Sequence, residues 1–403
     1  MNASIPELTD GERAFIREHL HDDVPKLLLQ KHNPADLDLG KLAGQITARQ
    51  KARHKLPSWY ANDRLLFPPP LSVEQGSSEA TARFKASLVS GRKLIDITGG
   101  MGVDCFYMSA HFEQTTYFDQ LETVAQAAAY NFAQLGVSNR IEVRGEEAIA
   151  TLDRQPETAD WIYADPARRD ERQRKVAQLA DCTPDLTQVL PVLFRASPNI
   201  LIKTAPLLDI DLAIAQLQSV REVHVIGLEG ECKEVLYTLE RGYPRGQEVP
   251  IRVRLLNAEG TPLALFDFTR GQEAAVTAQF GEPETYLYEP HAALLKAGAF
   301  KTIATQYGLT KLAPHTHLYT STRWIPDFPG RGFEVVAVCK PNARELAAFV
   351  PQGKANLTLR NFPGKIDDLR KKWRLKEGGD VYLFAAELSD TRKVVIVTRK
   401  VYL

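Results

Sequence analysis

Leu94-Ile95-Asp96-Ile97-Thr98-Gly99-Gly100-Met101-Gly102-Val103-Asp104 is the stretch that decides the fold. An apolar run ends at Ile97 and meets a turn with glycine at three of four positions, Gly99, Gly100 and Gly102. Glycine has no Cβ, so backbone in such a turn can lie directly against a ligand or a neighbouring element. After the first strand of a doubly wound sheet, this turn sits at the crevice where ligands bind. Read alone, it is equally a plain tight strand-to-helix connection.

Outward from this turn, short apolar runs alternate with helical patterns. The runs are Leu94–Ile97, Thr116–Phe118, Ile141–Val143, Trp161–Ala164, Ile200–Ile202, Val223–Ile226 and Val235–Leu239, with helices such as Leu121–Leu135 and Pro184–Arg195 between them. Strands alternating with helices predict an α/β fold with a mostly parallel, seven-stranded Rossmann-like sheet. Glu229–Glu234 is too short for a crossover helix, so the last two strands are expected as an antiparallel pair at one edge. Upstream, residues 1–76 read as a helical region and linker: Thr9 or Asp10 caps a first helix through Phe15, Ile16 and Leu20, and Pro57 and Pro68-Pro69-Pro70 break the pattern. Ser77 or Ser78 then caps a helix over Glu79–Val89. The sheet domain is placed at 77–245. A connecting hairpin (Ile251–Leu256, Leu263–Phe268) and a segment containing Tyr-Leu-Tyr-Glu-Pro-His (286–291) occupy 246–325, and a small α+β domain occupies 326–403.

Acidic residues recur at the ends of successive strands. Asp119 follows the second strand, 17 residues after Gly102, where a carboxylate can accept both ribose hydroxyls of a nucleoside. Gly145-Glu146-Glu147 follows the third and is either an adenine-edge contact or a surface turn. Asp165-Pro166-Ala167-Arg168-Arg169 closes the fourth; proline stiffens the turn and leaves carbonyls free to accept, and arginines suit phosphate. The Gly99-Gly100-Met101-Gly102 spacing differs from the G-x-G-x-x-G of a pyrophosphate binder, which disfavours NAD.

The bulk composition excludes several classes. A chain of 403 residues suggests about two to four domains. Lys plus Arg and Asp plus Glu are both 50, so no global field draws the chain to nucleic acid. Residues 330–403 nevertheless hold 15 Lys/Arg against 8 Asp/Glu, a local net of +7. Five of those cations lie in Leu369–Lys376 around Trp373, a pattern for phosphate contact with an aromatic to stack a base, or for a solvated amphipathic helix. Cys105, Cys182, Cys232 and Cys339 form no CxxC pair, against a disulfide framework or zinc site and in keeping with a reducing cytosol. With no signal peptide or membrane span in view, a cytoplasmic location and no membrane or metal partner are expected.

The order DxTGGxGxD, then a strand-ending acid, then DPxR resembles class I S-adenosylmethionine-dependent methyltransferases over roughly Ser77–Arg241. Gln75–Ala82, YEPHAALLKAGAF (288–300) and RNFP…LRKKWRLKEGGDVYLFA (360–385) resemble a bacterial group with a ferredoxin-like segment and a C-terminal THUMP-like domain. The resemblance implies S-adenosylmethionine as cofactor. It assigns the cofactor loop to Asp96, Thr98, Gly99, Gly100 and Gly102, the ribose to Asp119 and the adenine vicinity to Glu146. The methionine end falls to Ser78, Glu79 and Thr81, and the catalytic edge to Asp165, Pro166 and Arg168. RNA, either tRNA or rRNA, is the implied substrate; a small molecule or protein acceptor, or a non-catalytic RNA-binding protein, are the alternatives. Two departures stand out. Ala167 and Arg168 replace the proline and aromatic of amino-group methyltransferases. No cysteine follows the fifth strand (Lys203-Thr204-Ala205-Pro206), and Cys232 reads as a buried thiol rather than a nucleophile.

Overall fold

A computed structural model describes residues 7–29, 37–155, 157–168 and 178–401. Nine strands form one sheet: β1 (Gly91–Asp96), β2 (Phe112–Phe118), β3 (Ile141–Arg144), β4 (Trp161–Ala164), β5 (Asn199–Thr204), β6 (Val220–Leu228), β7 (Glu231–Glu240), β8 (Ile251–Leu256) and β9 (Pro262–Phe268). Their order is β9-β8-β6-β7-β5-β4-β1-β2-β3. β1 through β5 run parallel. Such strands are covered on both faces and therefore read as unbroken apolar runs; all four residues of β4 are buried. The expected edge pair is corrected. β7 runs antiparallel to β5 and lies between β5 and β6, and the hairpin β8–β9 extends the sheet past β6. That hairpin carries its own buried stripe, with Ile251, Val253, Leu256, Phe266 and Phe268 covered.

By internal contacts the chain forms two units: Met1–Val223 with Glu234–Gln247 and Leu256–Leu263, and His224–Lys233 with Glu248–Leu255 and Ala264–Leu403. In the first, Thr9 and Glu12 make a reciprocal capping box on a helix that ends at Glu18, before Leu20. Ser78, not Ser77, caps the helix Glu79–Ala86. The buried side-chain amide of Asn131 donates to Leu66 O and accepts from Leu66 N, both at 2.8 Å, which ties the linker to the helix Glu122–Gln134. Parallel registry aligns Asp96 with Tyr117 and Tyr163, and Ala164 with Ile202. The residues that end β1, β2, β4 and β5 therefore share one edge.

The second unit contains a seven-stranded sheet of β10 (Tyr286–Pro290), β11 (Thr310–Lys311), β12 (Tyr319–Ser321), β13 (Gly330–Cys339), β14 (Asn356–Arg360), β15 (Val381–Glu387) and β16 (Lys393–Lys400). The order is β11-β12-β10-β13-β16-β15-β14. β14 and β15 are parallel, and the helix Ile366–Trp373 lies between them in sequence. Leu369 and Trp373, four apart, form its buried face. Trp373 is 3% exposed and meets Phe362 edge-on at 6.2 Å, so the expectation that it stacks a base is corrected: its indole fills the core, while Lys371, Lys372, Arg374 and Lys376 around it face solvent. Among the described residues, no helix is long and apolar enough to cross a membrane.

Trp373→Ala should lower stability by about 3–5 kcal/mol, as deletion of a large core side chain does, measured by urea unfolding. A change under about 1 kcal/mol would mean that the ring is not part of the core.

Candidate active site

The glycine turn is seated on β2. Gly99 N–H donates to Phe118 O at 2.9 Å, and the Tyr117 hydroxyl donates to Gly100 O at 2.6 Å. A Cβ on Gly99 would overlap the Tyr117 ring. Gly102 takes φ +82° as the residue before the helix Val103–Ser109, and a Cβ there would come within 2.6 Å of Phe132. The back of the turn is thus filled by aromatic side chains, while Gly100 meets nothing closer than Thr98 O at 3.8 Å.

Asp119 lies against this turn. Its Oδ2 accepts from Gly100 N–H at 2.9 Å and its Oδ1 from Leu121 N–H at 2.8 Å, and the residue is half-buried. Asp96 is 1% exposed and accepts from Thr98 N at 3.0 Å. Burial, with the neighbouring Asp104 and Asp165 adding to it, pushes its carboxyl up to about 8. The Thr98 hydroxyl accepts from Asp165 N–H at 2.7 Å, joining the glycine turn to the end of β4. Pro166 is buried, and Ala167–Arg168 pairs antiparallel with Cys182–Thr183. The Arg168 side chain and Arg169 lie outside the described residues. Glu146 is half-buried beside Gly145, whose Cα faces the Glu122 carboxylate.

Ser78, Glu79 and Thr81 are held in local structure. Ser78 accepts from Thr81 N at 3.2 Å, and Glu79 accepts from Ser58 N, Ser58 Oγ and Trp59 N at 2.6, 2.8 and 3.2 Å.

Sequence reasoning missed an ionic cluster beside these residues. Lys85 is fully buried and donates to both oxygens of Glu234 (2.6 and 2.8 Å) and to Ser77 Oγ (3.0 Å); Asp104 Oδ1 is 3.2 Å away. Asp104 Oδ2 accepts from Ser77 Oγ and Tyr163 OH, each at 2.7 Å. Burial pushes Asp104 up, but Lys85, Lys203 and these hydrogen bonds outweigh it and hold it below the ordinary value. Lys203, at the end of β5, donates to Asp165; burial opposes its charge, yet Asp165, Glu234 and Asp104 hold it above the ordinary lysine range. Three acids, Asp104, Asp165 and Glu234, thus face two lysines, leaving one negative charge in excess. The only sequence signal was Asp104 as the last residue of the DxTGGxGxD pattern. Among the described residues, no group of three or more His, Cys, Asp or Glu is placed to hold a metal ion.

Two family models match the second unit, a ferredoxin-like domain over residues 286–329 and a THUMP domain-like one over 330–400. The two matches meet within one sheet, since β10 pairs with β13. A crystal structure of a protein from Porphyromonas gingivalis W83, assigned as a methyltransferase, is 30% identical, covers 97% of this chain and 98% of that one, and superposes with a TM-score of 0.81. The chain belongs to the class I S-adenosylmethionine-dependent methyltransferases that carry a ferredoxin-like segment and a C-terminal THUMP-like domain. Uncharacterized S-adenosylmethionine-dependent methyltransferases of Mycobacterium tuberculosis strains CDC 1551 and H37Rv are each 24% identical over 311 residues, 76% of this chain and 80% of theirs. The methyltransferase therefore uses S-adenosylmethionine, and the sheet order and the filled-back glycine turn fit that fold.

Two outcomes follow. Gly99→Ala must displace Tyr117, so calorimetry should find S-adenosylmethionine affinity reduced more than about tenfold, or ~1.4 kcal/mol; an unchanged affinity would remove the turn from the binding site. Asp96, at about 8 when folded against an ordinary 3.8, holds a proton that the unfolded chain has released. Its contribution to stability is complete below about pH 4 and is lost as pH climbs through about 8. The melting temperature of the methyltransferase, relative to Asp96→Asn, should fall between about pH 4 and pH 8 and level off above; parallel curves would show that Asp96 titrates normally.

Proposed function

We propose that this methyltransferase modifies a base in RNA, either tRNA or rRNA, at the strand-end edge that carries Asp165. One observation carries the substrate class. Lys371, Lys372, Arg374 and Lys376 are all exposed on and just after the helix Ile366–Trp373, within a segment of net +7, while the molecule as a whole is neutral. A row of cations displaced to one domain is the electrostatic footprint of a polyanion.

Asp96, Thr98, Gly99, Gly100 and Gly102 form the wall that holds the methyl donor, and Asp119 accepts its ribose hydroxyls. Asp119 suits this role because two backbone N–H groups already fix its orientation. Glu146 lies on the adenine side. The excess negative charge among Asp104, Asp165 and Glu234 suits a cationic ligand, and Ser77, bonded to Asp104, joins Ser78, Glu79 and Thr81 at the methionine end of the cofactor. S-adenosylmethionine, when bound, supplies an electrophilic methyl group on a sulfonium with a neutral leaving group. What the chain contributes is position: Thr98 sets the backbone of Asp165, Lys203 sets its carboxylate, and Asp165 accepts a hydrogen bond from the acceptor N–H. Pro166 stiffens this edge, and Arg168 holds a phosphate or base edge of the substrate.

The test is incubation with tritiated S-adenosylmethionine and bulk tRNA and rRNA, followed by nucleoside analysis. Label in a modified base is expected, and Asp165→Asn should lower transfer at saturating cofactor by about 10²-fold or more, beyond any loss of cofactor affinity. RNA affinity should fall steeply with added salt. Label appearing only in protein or small molecules, or a flat salt response, would overturn the RNA reading.

A further inference from the structure

Two sequence segments that the methyl-transfer site leaves unused, Tyr288-Glu289-Pro290-His291 and Arg360-Asn361-Phe362-Pro363, meet in the seven-stranded sheet of the second unit. Glu289, on β10, is 4% exposed. Its Oε2 accepts from Arg331 Nε at 2.8 Å and from Arg331 Nη2, and its Oε1 accepts from Arg360 Nη2 at 2.7 Å. One covered carboxylate therefore orients two guanidinium groups and leaves a positive charge in excess. Both arginines remain partly open, at 46% and 30% of their side chains. The Arg331 guanidinium also lies over the rings of Phe333 and Tyr382, at 5.4 and 6.0 Å, which further restricts it.

Positive charge accumulates on the Arg360 side. The His317 ring stacks on Phe300 with centroids 3.9 Å apart. Lys311 Nζ lies 5.6 Å from the same ring and donates to Pro314 O at 2.7 Å. Burial pushes His317 down to about 4, and the charges of Lys311, Arg360 and His315 push it the same way. The nearby acid Glu273 is spent on Phe300 N, Lys301 N and the N–H and hydroxyl of Thr302. Two covered nitrogens, Arg360 Nε and His317 Nδ1, have no hydrogen-bond partner among the described residues.

Excess guanidinium charge in a field of like charges is costly, and an anion on the open faces of Arg331 and Arg360 offsets that cost. Arginine forks match the oxygens of a phosphate group in geometry as well as charge. We propose that Arg331 and Arg360, both held on the Glu289 carboxylate, form a phosphate-binding site that takes a backbone phosphodiester of the RNA substrate, with His317 as its neighbour on the Arg360 side. Glu289 is its positioning residue. The phosphate chemistry stands on these residues alone; the source of the phosphate rests on the RNA reading above.

The experiment uses the full chain with isotope-labelled histidine and two probes, inorganic phosphate and bulk tRNA. Phosphate should shift the His317 resonances saturably and raise its titration midpoint, since a nearby anion favours the imidazolium. Removing Arg360 alone would leave the covered Glu289 Oε1 without its donor, so the paired change Glu289→Gln with Arg360→Gln is made, and its melting curve and S-adenosylmethionine affinity report folding. That variant should lose the phosphate response and bind tRNA at least about tenfold more weakly, the loss expected for an arginine contact. Arg360→Lys, which keeps charge but not the fork, should recover only part of the affinity. If native protein binds tRNA but phosphate leaves His317 unmoved and the paired variant binds tRNA normally, the site is refuted and the RNA reading stands. If phosphate acts on His317 but neither bulk tRNA nor, in the same assay, bulk rRNA binds, the anion site stands with free phosphate as its ligand and the RNA reading falls.

Discussion

The hydrogen bond from Gly100 N–H to the Asp119 carboxylate, 2.9 Å long, joins the ends of two neighbouring parallel strands. The site depends on it. It forms only because the turn lies flat on β2, and the turn lies flat only because Gly99 and Gly102 have no side chains to lift it off Tyr117 and Phe132. Thr98, carried by the same turn, then receives the backbone of Asp165 from β4, and Lys203 on β5 receives its side chain. Four strand ends are thereby locked in one geometry by short bonds, which is the preorganisation that group transfer needs.

The parts of this arrangement legible in the sequence are those made by neighbours in the chain. The apolar run Leu94–Ile97, the glycine turn and the acids at strand ends each sit in a short window. The ionic cluster does not. Lys85 and Glu234 are 149 residues apart, and each looks like an ordinary surface charge in its own segment. Only the fold brings the two together beside Asp104, where each compensates the burial of the other. The hairpin β8–β9 was visible as a hairpin, but whether it continued the main sheet depended on which strand was left at the margin, and local pattern says nothing of that. Trp373 shows the reverse error. Its basic neighbours suggested an exposed ring, yet its four-residue spacing from Leu369 was the stripe of a helix face turned to the core.

The second unit solves a different problem. Its sheet gathers strands from two sequence families, and the join between them is a strand pair rather than a linker. Positive charge is organised there in two ways. On the helix Ile366–Trp373 it is open to solvent, which suits loose, salt-sensitive attraction. Around Glu289 it is covered and oriented, which suits a fixed contact.

The most direct test of the account is a crystal structure of the protein with S-adenosylmethionine. It should place both ribose hydroxyls within about 2.5–3.2 Å of the Asp119 carboxylate, with the adenosine lying against Gly100. Adenosine bound elsewhere, or a ribose held by groups other than Asp119, would contradict it.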